Sequence, residues 1–437
     1  MRSSILAAAI VVAIGSSVSF SAVAQSSSAD RDREMAELKA QLQTMQERLI
    51  ELETRTDAQS DINLDNAGAL DKLTTGSTKV ETKGGMKLTS ADGNFEAQLG
   101  GRIHFDAYAF DRDKVDTTGT TEFRRARLTL QGKAFGWGYR MEQDFSAGTT
   151  TAGFRDVYVT RKALGGLVTI GHFKPYRSME ELTSSNEITM MERPFSSATG
   201  LYSGRQFNQG VGYLKAGDNY TVGATVFNLR EASGPRTEGT GAAGRITYAP
   251  INNDNSTLHF GVSASTENTN KGSANLVAVA NYAGRRGPAQ TIATTTALSG
   301  DSVDAVGVEA AGAFGPMYFQ SEYAKARFNR PIGGAQDVDT FYVMGSWMLT
   351  GEHKVYKAAN GVFGAPKIGE AGAWELTARY DTIENNDVNN LQATSSTIGV
   401  NYYFNPNVRL MFNYTKGDND FNGDKTGQYA VRTQLSF

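Results

Sequence analysis

The sequence predicts an all-β fold, a 16-stranded antiparallel transmembrane β-barrel preceded by a short N-terminal coiled-coil helix. Two observations on the strands and one on their connections lead there. From Phe95 to Phe437 nearly every segment alternates apolar and polar residues with a period of two, as a strand with two unlike faces does. Sixteen such segments start near Phe95, Phe123, Tyr139, Phe154, Leu167, Gly210, Tyr220, Gly244, Leu258, Val303, Met317, Phe341, Trp374, Thr397, Arg409 and Tyr429. Their connections alternate in length. "AFGWG", "KALGG", "KAGDN", "FGP" and "FNPN" are short, whereas 109–122, 174–209, 266–302, 382–396 and 416–428 are long. Short turns at one end and long loops at the other mark an outer-membrane barrel, and an even count puts both chain ends on the periplasmic side. The stretch 350–373 is long on the short-turn side, so it holds either a further hairpin or a segment folded onto the barrel wall.

Composition agrees with strands. The 437 residues include 47 glycines and only 9 prolines, and 40% are hydrophobic, too few for a helical membrane protein. Cysteine is absent, which excludes a disulfide framework and thiolate metal sites. A net charge of −3 gives no global basicity for nucleic acid.

The N-terminal elements follow in order. Arg2, an apolar run from Ile5 to Ile14 and "AVA" at Ala22–Ala24 read as a secretory signal peptide over 1–24. Met35, Leu38, Leu42, Met45, Leu49 and Leu52 repeat at spacings of 3 and 4. That is a heptad seam, so 25–56 reads as a periplasmic coiled-coil segment, with a lone amphipathic helix as the alternative. Residues 57–84 are polar and aperiodic and read as a linker, leaving 85–437 for the barrel.

Within the barrel, "TEFRRARLTLQGK" puts Arg125, Arg127, Thr129, Gln131 and Lys133 on one face and Ala126, Leu128 and Leu130 on the other. A soluble sandwich could carry such a strand, as could a β-helix. Neither explains the two-sided loop lengths, the aromatic strand ends or the terminal Phe437. In a barrel the apolar face meets lipid, where a midplane cation costs about 2–4 kcal/mol, so Arg125 and Arg127 point into the lumen. Arg124 has the opposite parity and belongs at the membrane rim or in a bulge.

"KLTSADGNFEAQLGGRIHFD", "FRRARLTLQGKAFGWGYRMEQDF", "GHFKPYRSMEELTSSNEITMMERP", "GAWELTARYD", "NYYFNPNVRLMFNYT" and "VRTQLSF" together resemble the phosphate-selective porin O and P family of Gram-negative outer membranes, over about 85–437. The resemblance implies a homotrimer in outer-membrane lipid, an inward-folded third loop, and passive uptake of phosphate or polyphosphate through a basic constriction. It implies no cofactor. Arg124 and Arg125 fall in the matching "FRR" stretch, and Lys174 falls where the third loop begins.

Parity and depth extend the set of candidate anion-binding residues to Arg124, Arg125, Arg127, Arg140, Lys174 and Arg177. Rings of such cations raise the local anion concentration and replace part of an anion's hydration shell. The lumen-parity charges are nine cations against seven anions, so carboxylates that brace a loop against the wall compete with anion binding as the role of each arginine. A weakly selective general porin is therefore the alternative, as is a structural barrel tethered to peptidoglycan by its coiled coil. Enzymatic readings find no support. The four histidines are scattered, and no HExxH, GxSxG or P-loop occurs. "DNDFNGD" at 418–424 is half a calcium loop without its bidentate acid, so no metal site is assigned.

Overall fold

The computed structural model describes residues 28–75, 78–82, 85–148, 151–198, 201, 206–229, 239–270, 276–296 and 300–437. The expected signal peptide at 1–24 lies outside the described residues. The chain divides into two units, the second beginning at Thr78.

The described residues of the first unit form one helix, α1 (Ser28–Thr75). Its seam residues Met35, Leu38, Leu42, Met45, Leu49 and Leu52 are all 56–63% exposed. The linker expected over 57–84 is corrected in part. The helix continues through 57–75, which holds no proline and one glycine, Gly68. The apolar repeat stops at Leu52, but no proline interrupts the stretch beyond it and the helix runs on. Beyond it, a short hairpin pairs Lys79–Glu81 with Met86–Thr89. The second of these strands adds to the barrel, with Met86 opposite Leu99.

The second unit is the barrel. Its strands are β1 (Phe95–Asp111), β2 (Thr120–Ala134), β3 (Trp137–Asp144), β4 (Phe154–Ala163), β5 (Gly166–Phe173), β6 (Asn208–Ala216), β7 (Tyr220–Asn228) and β8 (Gly239–Asn252). They continue with β9 (Ser256–Thr269), β10 (Ser302–Phe314), β11 (Met317–Asn329), β12 (Gln336–Met348), β13 (Ala373–Asn385), β14 (Gln392–Asn405), β15 (Val408–Asn419) and β16 (Gly427–Ser436). Each pairs antiparallel with the next, and β16 pairs with β1 from Gly427↔Asp111 to Ser436↔Arg102, so no edge is left open. The last residue completes the closure: Phe437 N–H donates to the Gly101 carbonyl at 3.0 Å, and Gly101 N–H returns to the Phe437 carbonyl at 2.8 Å.

Alternation sorts the side chains. On β13, Trp374, Leu376 and Tyr380 face outward, while Glu375, Thr377 and Asp381 are buried within. Exposed Phe95, Trp137, Tyr248, Trp347, Trp374 and Phe404 gather near the short-turn end, and Phe105, Phe123, Tyr380 and Tyr429 near the loop end. These are the two aromatic girdles that flank a lipid-facing band. Two of the short turns have two central residues, Phe135–Gly136 and Leu164–Gly165, all with positive φ. That is the turn geometry whose twist matches paired strands.

Three connections fold into the barrel. The third loop (174–207) carries α2 (Met179–Leu182) and α3 (Phe195–Ala198), and most of it is buried. The fifth loop (270–301) contains a hairpin of Val277–Ala280 with Gln290–Thr294. The long connection on the short-turn side is also a hairpin, Lys354–Lys357 with Val362–Pro366. Its Val362 and Phe363 pack with Met179, Tyr318 and Tyr342, so it is both the additional hairpin and a segment laid against the inner wall.

Candidate functional site

The third loop is positioned by groups that the strand alternation points inward. Buried backbone N–H groups need acceptors, and the barrel wall supplies them. Met179 N–H donates to Glu309 at 3.0 Å, Glu180 N–H to Glu322 at 2.9 Å, Met191 N–H to Asn413 at 2.8 Å and Phe195 N–H to Asp381 at 2.8 Å. Carbonyls of the same loop accept from wall donors, Ile188 from Arg409 at 3.1 Å, Thr189 from Asn401 at 2.9 Å and Glu192 from Arg379 at 2.7 Å. The short-turn-side hairpin grips the loop from the other end, where Lys354 reaches Thr189 at 3.0 Å and Lys357 pairs with Glu187. Arg245 fixes that hairpin by donating to the carbonyls of Asn360 and Gly361, while Glu309 neutralises it at 2.5 Å.

Two cavities remain beside the loop. One, of about 250 Å³, lies toward the loop end of the barrel and is lined by Arg124, Arg125, Glu192, Arg193 and Arg285 among others. The other, of about 470 Å³, reaches toward the short-turn end and includes Arg102, Arg125, Arg127, Arg140 and Lys174. Among the described residues, Arg125, Arg193 and Gln206 line both, so these three side chains stand where the two cavities adjoin.

The six residues expected from the sequence separate into distinct roles. Arg124 is the extra residue of a bulge, because the register opposite β1 jumps from His104↔Arg125 to Phe105↔Phe123. The bulge turns Arg124 inward, where it holds Glu192 with two bonds of 2.8 and 3.0 Å. Arg127 is neutralised by Glu142 and Asp144, both at 2.8 Å. Arg140 sits at 3.0 Å from Glu142 and 3.2 Å from Asp156. Arg177 lines neither cavity. It is fully buried, paired with Glu181 at 3.2 Å and with Glu267 of β9 at 3.4 Å, so its place is a brace between the loop and the wall rather than the lumen surface expected for it.

Arg125 and Lys174 differ. Neither has a carboxylate within ion-pair distance among the described residues. Arg125 is 5% exposed, its terminal nitrogen lies 3.4 Å from His104 Nδ1, and its Nε has no partner. Lys174 donates to the Glu181 carbonyl at 2.6 Å and lies 5.5 Å from the centre of the Phe207 ring. Burial, with the nearby Arg193 guanidinium, pushes the Lys174 ammonium well below the usual lysine range. Glu192, on the same loop, goes the other way. Burial opposes its charge, yet Arg124 and Arg432 hold its carboxyl well below the usual carboxylate range.

Sequence reasoning missed Arg285 and Arg286. Both pair with Glu122, Arg285 at 3.0 Å, and tie the fifth loop to β2, and Arg285 also lines the first cavity. The "RR" doublet in a long loop was the available signal. The partner, far away in sequence, was not.

Comparison with known proteins follows the geometry. The family model "Phosphate-selective porin O and P" matches residues 97–437. Porin O of Pseudomonas aeruginosa is 28% identical over 407 residues, covering 82% of this chain and 92% of that one. The loop L8 deletion mutant of OmpT, an outer membrane protein of Vibrio cholerae, superposes with a TM-score of 0.53 at 12% identity, covering 79% of this chain and 100% of that one. The anion-selective porin of Comamonas acidovorans gives 0.53 at 14% identity, covering 78% and 99%. At those identities the two structures attest the fold. The closed barrel, its inward third loop and the match over 97–437 converge: the chain is an outer-membrane porin and belongs to the phosphate-selective porin O and P family.

Proposed function

We propose that this porin passes small anions in preference to cations, with phosphate or polyphosphate as its solutes, and performs no catalysis. The observation that carries the reading is Arg125. It lines both cavities and has no carboxylate at ion-pair distance among the described residues. A guanidinium stays charged at any physiological pH and its planar fork suits phosphate oxygens. Lys174, without a carboxylate at ion-pair distance among the described residues, adds a second basic side chain to the larger cavity. The phosphate in the family's description agrees in sign with these groups.

The same proposal includes a homotrimer in which α1 takes part. Six apolar seam residues exposed along one helix match copies of themselves better than a polar cell-wall polymer, and this favours self-association over a tether.

Competition between ions tests the solute. In planar bilayers, phosphate added to a chloride solution should reduce single-channel chloride current saturably, with half-block at submillimolar to millimolar phosphate, about −4 to −6 kcal/mol of binding. Arg125→Gln should raise the half-blocking concentration about tenfold or more, the loss of one charge-assisted hydrogen-bond pair. Chloride current indifferent to phosphate would overturn the phosphate reading.

A further inference from the structure

The larger cavity has a wall that a bare oxyanion does not use. Its volume of about 470 Å³ leaves most of the space unfilled by a single tetrahedral phosphate. Leu167 and Leu214 are directly opposed across the β5–β6 pairing and both line it. Beside them the Tyr176 ring lies against the barrel wall on two glycines. A Cβ at Gly212 would meet the ring at 3.0 Å and one at Gly223 at 2.9 Å, so the absence of side chains there makes the seat. The Tyr176 hydroxyl is steadied by Thr169 at 3.4 Å, and the partly buried side chain lines the cavity. An aromatic platform and two leucines thus share one space with Arg125 and Lys174.

From this juxtaposition we infer that the larger cavity is a subsite for phosphate monoesters carrying a planar organic group. The phosphate engages Arg125 and Lys174, and the organic group lies on Tyr176, Leu167 and Leu214. The inference rests on the anion-preferring reading above and adds the solute's organic half. Stacking on one aromatic ring contributes about 0.5–1.5 kcal/mol beyond area burial, and apolar burial adds to it, so an aryl ester gains about tenfold over the free anion.

Block of single-channel chloride current by inorganic phosphate, methyl phosphate and phenyl phosphate measures the gain on the full chain. Phenyl phosphate should half-block at about one-tenth the concentration of inorganic phosphate, and methyl phosphate should resemble the inorganic ion. The ratio of phenyl to inorganic half-block should approach one in Tyr176→Ala and in Leu214→Asn and persist in Tyr176→Phe. Phenyl phosphate no better than methyl phosphate in the parent channel would overturn the subsite, as would an advantage that survives both Tyr176→Ala and Leu214→Asn. Inorganic phosphate failing to block the parent channel at all would instead overturn the anion reading on which the subsite rests.

Discussion

Lumen charge in this barrel is decided by partners rather than by a count. Alternation gives nine inward cations and seven inward anions, which reads as a nearly neutral tube. In the structure each of the seven carboxylates is occupied. Asp106 holds Arg432, Glu142 and Asp144 hold Arg127, Asp156 holds Arg140, Glu309 holds Arg245, Glu322 caps the Glu180 amide and Glu375 holds Lys354. Among the described residues, Arg125 is left without a carboxylate where the two cavities adjoin, and Lys174 lines the larger of them. Parity made Arg125 legible in the sequence as a lumen residue. It could not separate Arg125 from Arg127, two residues along on the same face, because the carboxylates that silence Arg127 come from β3. Arg124 was legible only as an anomaly, since one inserted residue reverses parity and only the register reveals it.

Three expected outcomes belong to single residues. Replacing Arg127 with Gln should cost about 3 kcal/mol of barrel stability, because it leaves Asp144 and Glu142 short of a buried partner. Urea refolding midpoints check the cost, while ion preference should change little. Replacing Glu192 with Gln removes the carboxylate held by Arg124 and Arg432, so phosphate should block at roughly three- to tenfold lower concentration. Weaker block in that variant would mean the loop had come away from its anchors. Lys174, its proton held less tightly than an ordinary lysine's, loses charge as pH rises before surface lysines do. Anion preference, read as reversal potential from pH 7 to 10, should therefore decline across alkaline pH and stay level in Lys174→Arg.

At the scale of elements, the third loop is a part whose fold is written in the wall. Its described residues form two one-turn helices, yet wall groups on seven strands, β7, β10, β11, β13, β14, β15 and β16, satisfy its amides and carbonyls. Glu192 brings pH into this brace. A carboxyl held below its unfolded value of about 4.3 contributes stability above that value and loses it only as pH falls through the lower folded value. Open-channel conductance should accordingly be level between pH 7 and pH 5, and closure in that interval would place the titrating group elsewhere. The hairpin at 354–366 is the second element with a measurable share in the constriction. Its length was legible, its inward direction was not, because Lys354 and Lys357 find Glu375 and Glu187 only in three dimensions. Replacing 352–369 with a short turn should widen the passage and raise single-channel conductance, on a barrel that still migrates as folded in unheated gels. Helix α1 outlasts its apolar seam, running to Thr75 through a stretch that no proline interrupts.

For the whole molecule, sixteen strands, two-sided loops and a closing β16–β1 pair were readable from period and connection length alone, because a membrane barrel repeats one physical constraint along its entire chain. The pairing that gives the lumen its sign was not, because it joins residues tens to hundreds of positions apart. The measurement that tests the central claim most directly is reversal potential across a tenfold potassium chloride gradient, for the parent channel and for Arg125→Glu. The account predicts an anion-preferring parent and a shift toward cations in the variant, from a change of two charge units where the two cavities adjoin. A parent that prefers cations, or a variant with unchanged reversal potential, would contradict it.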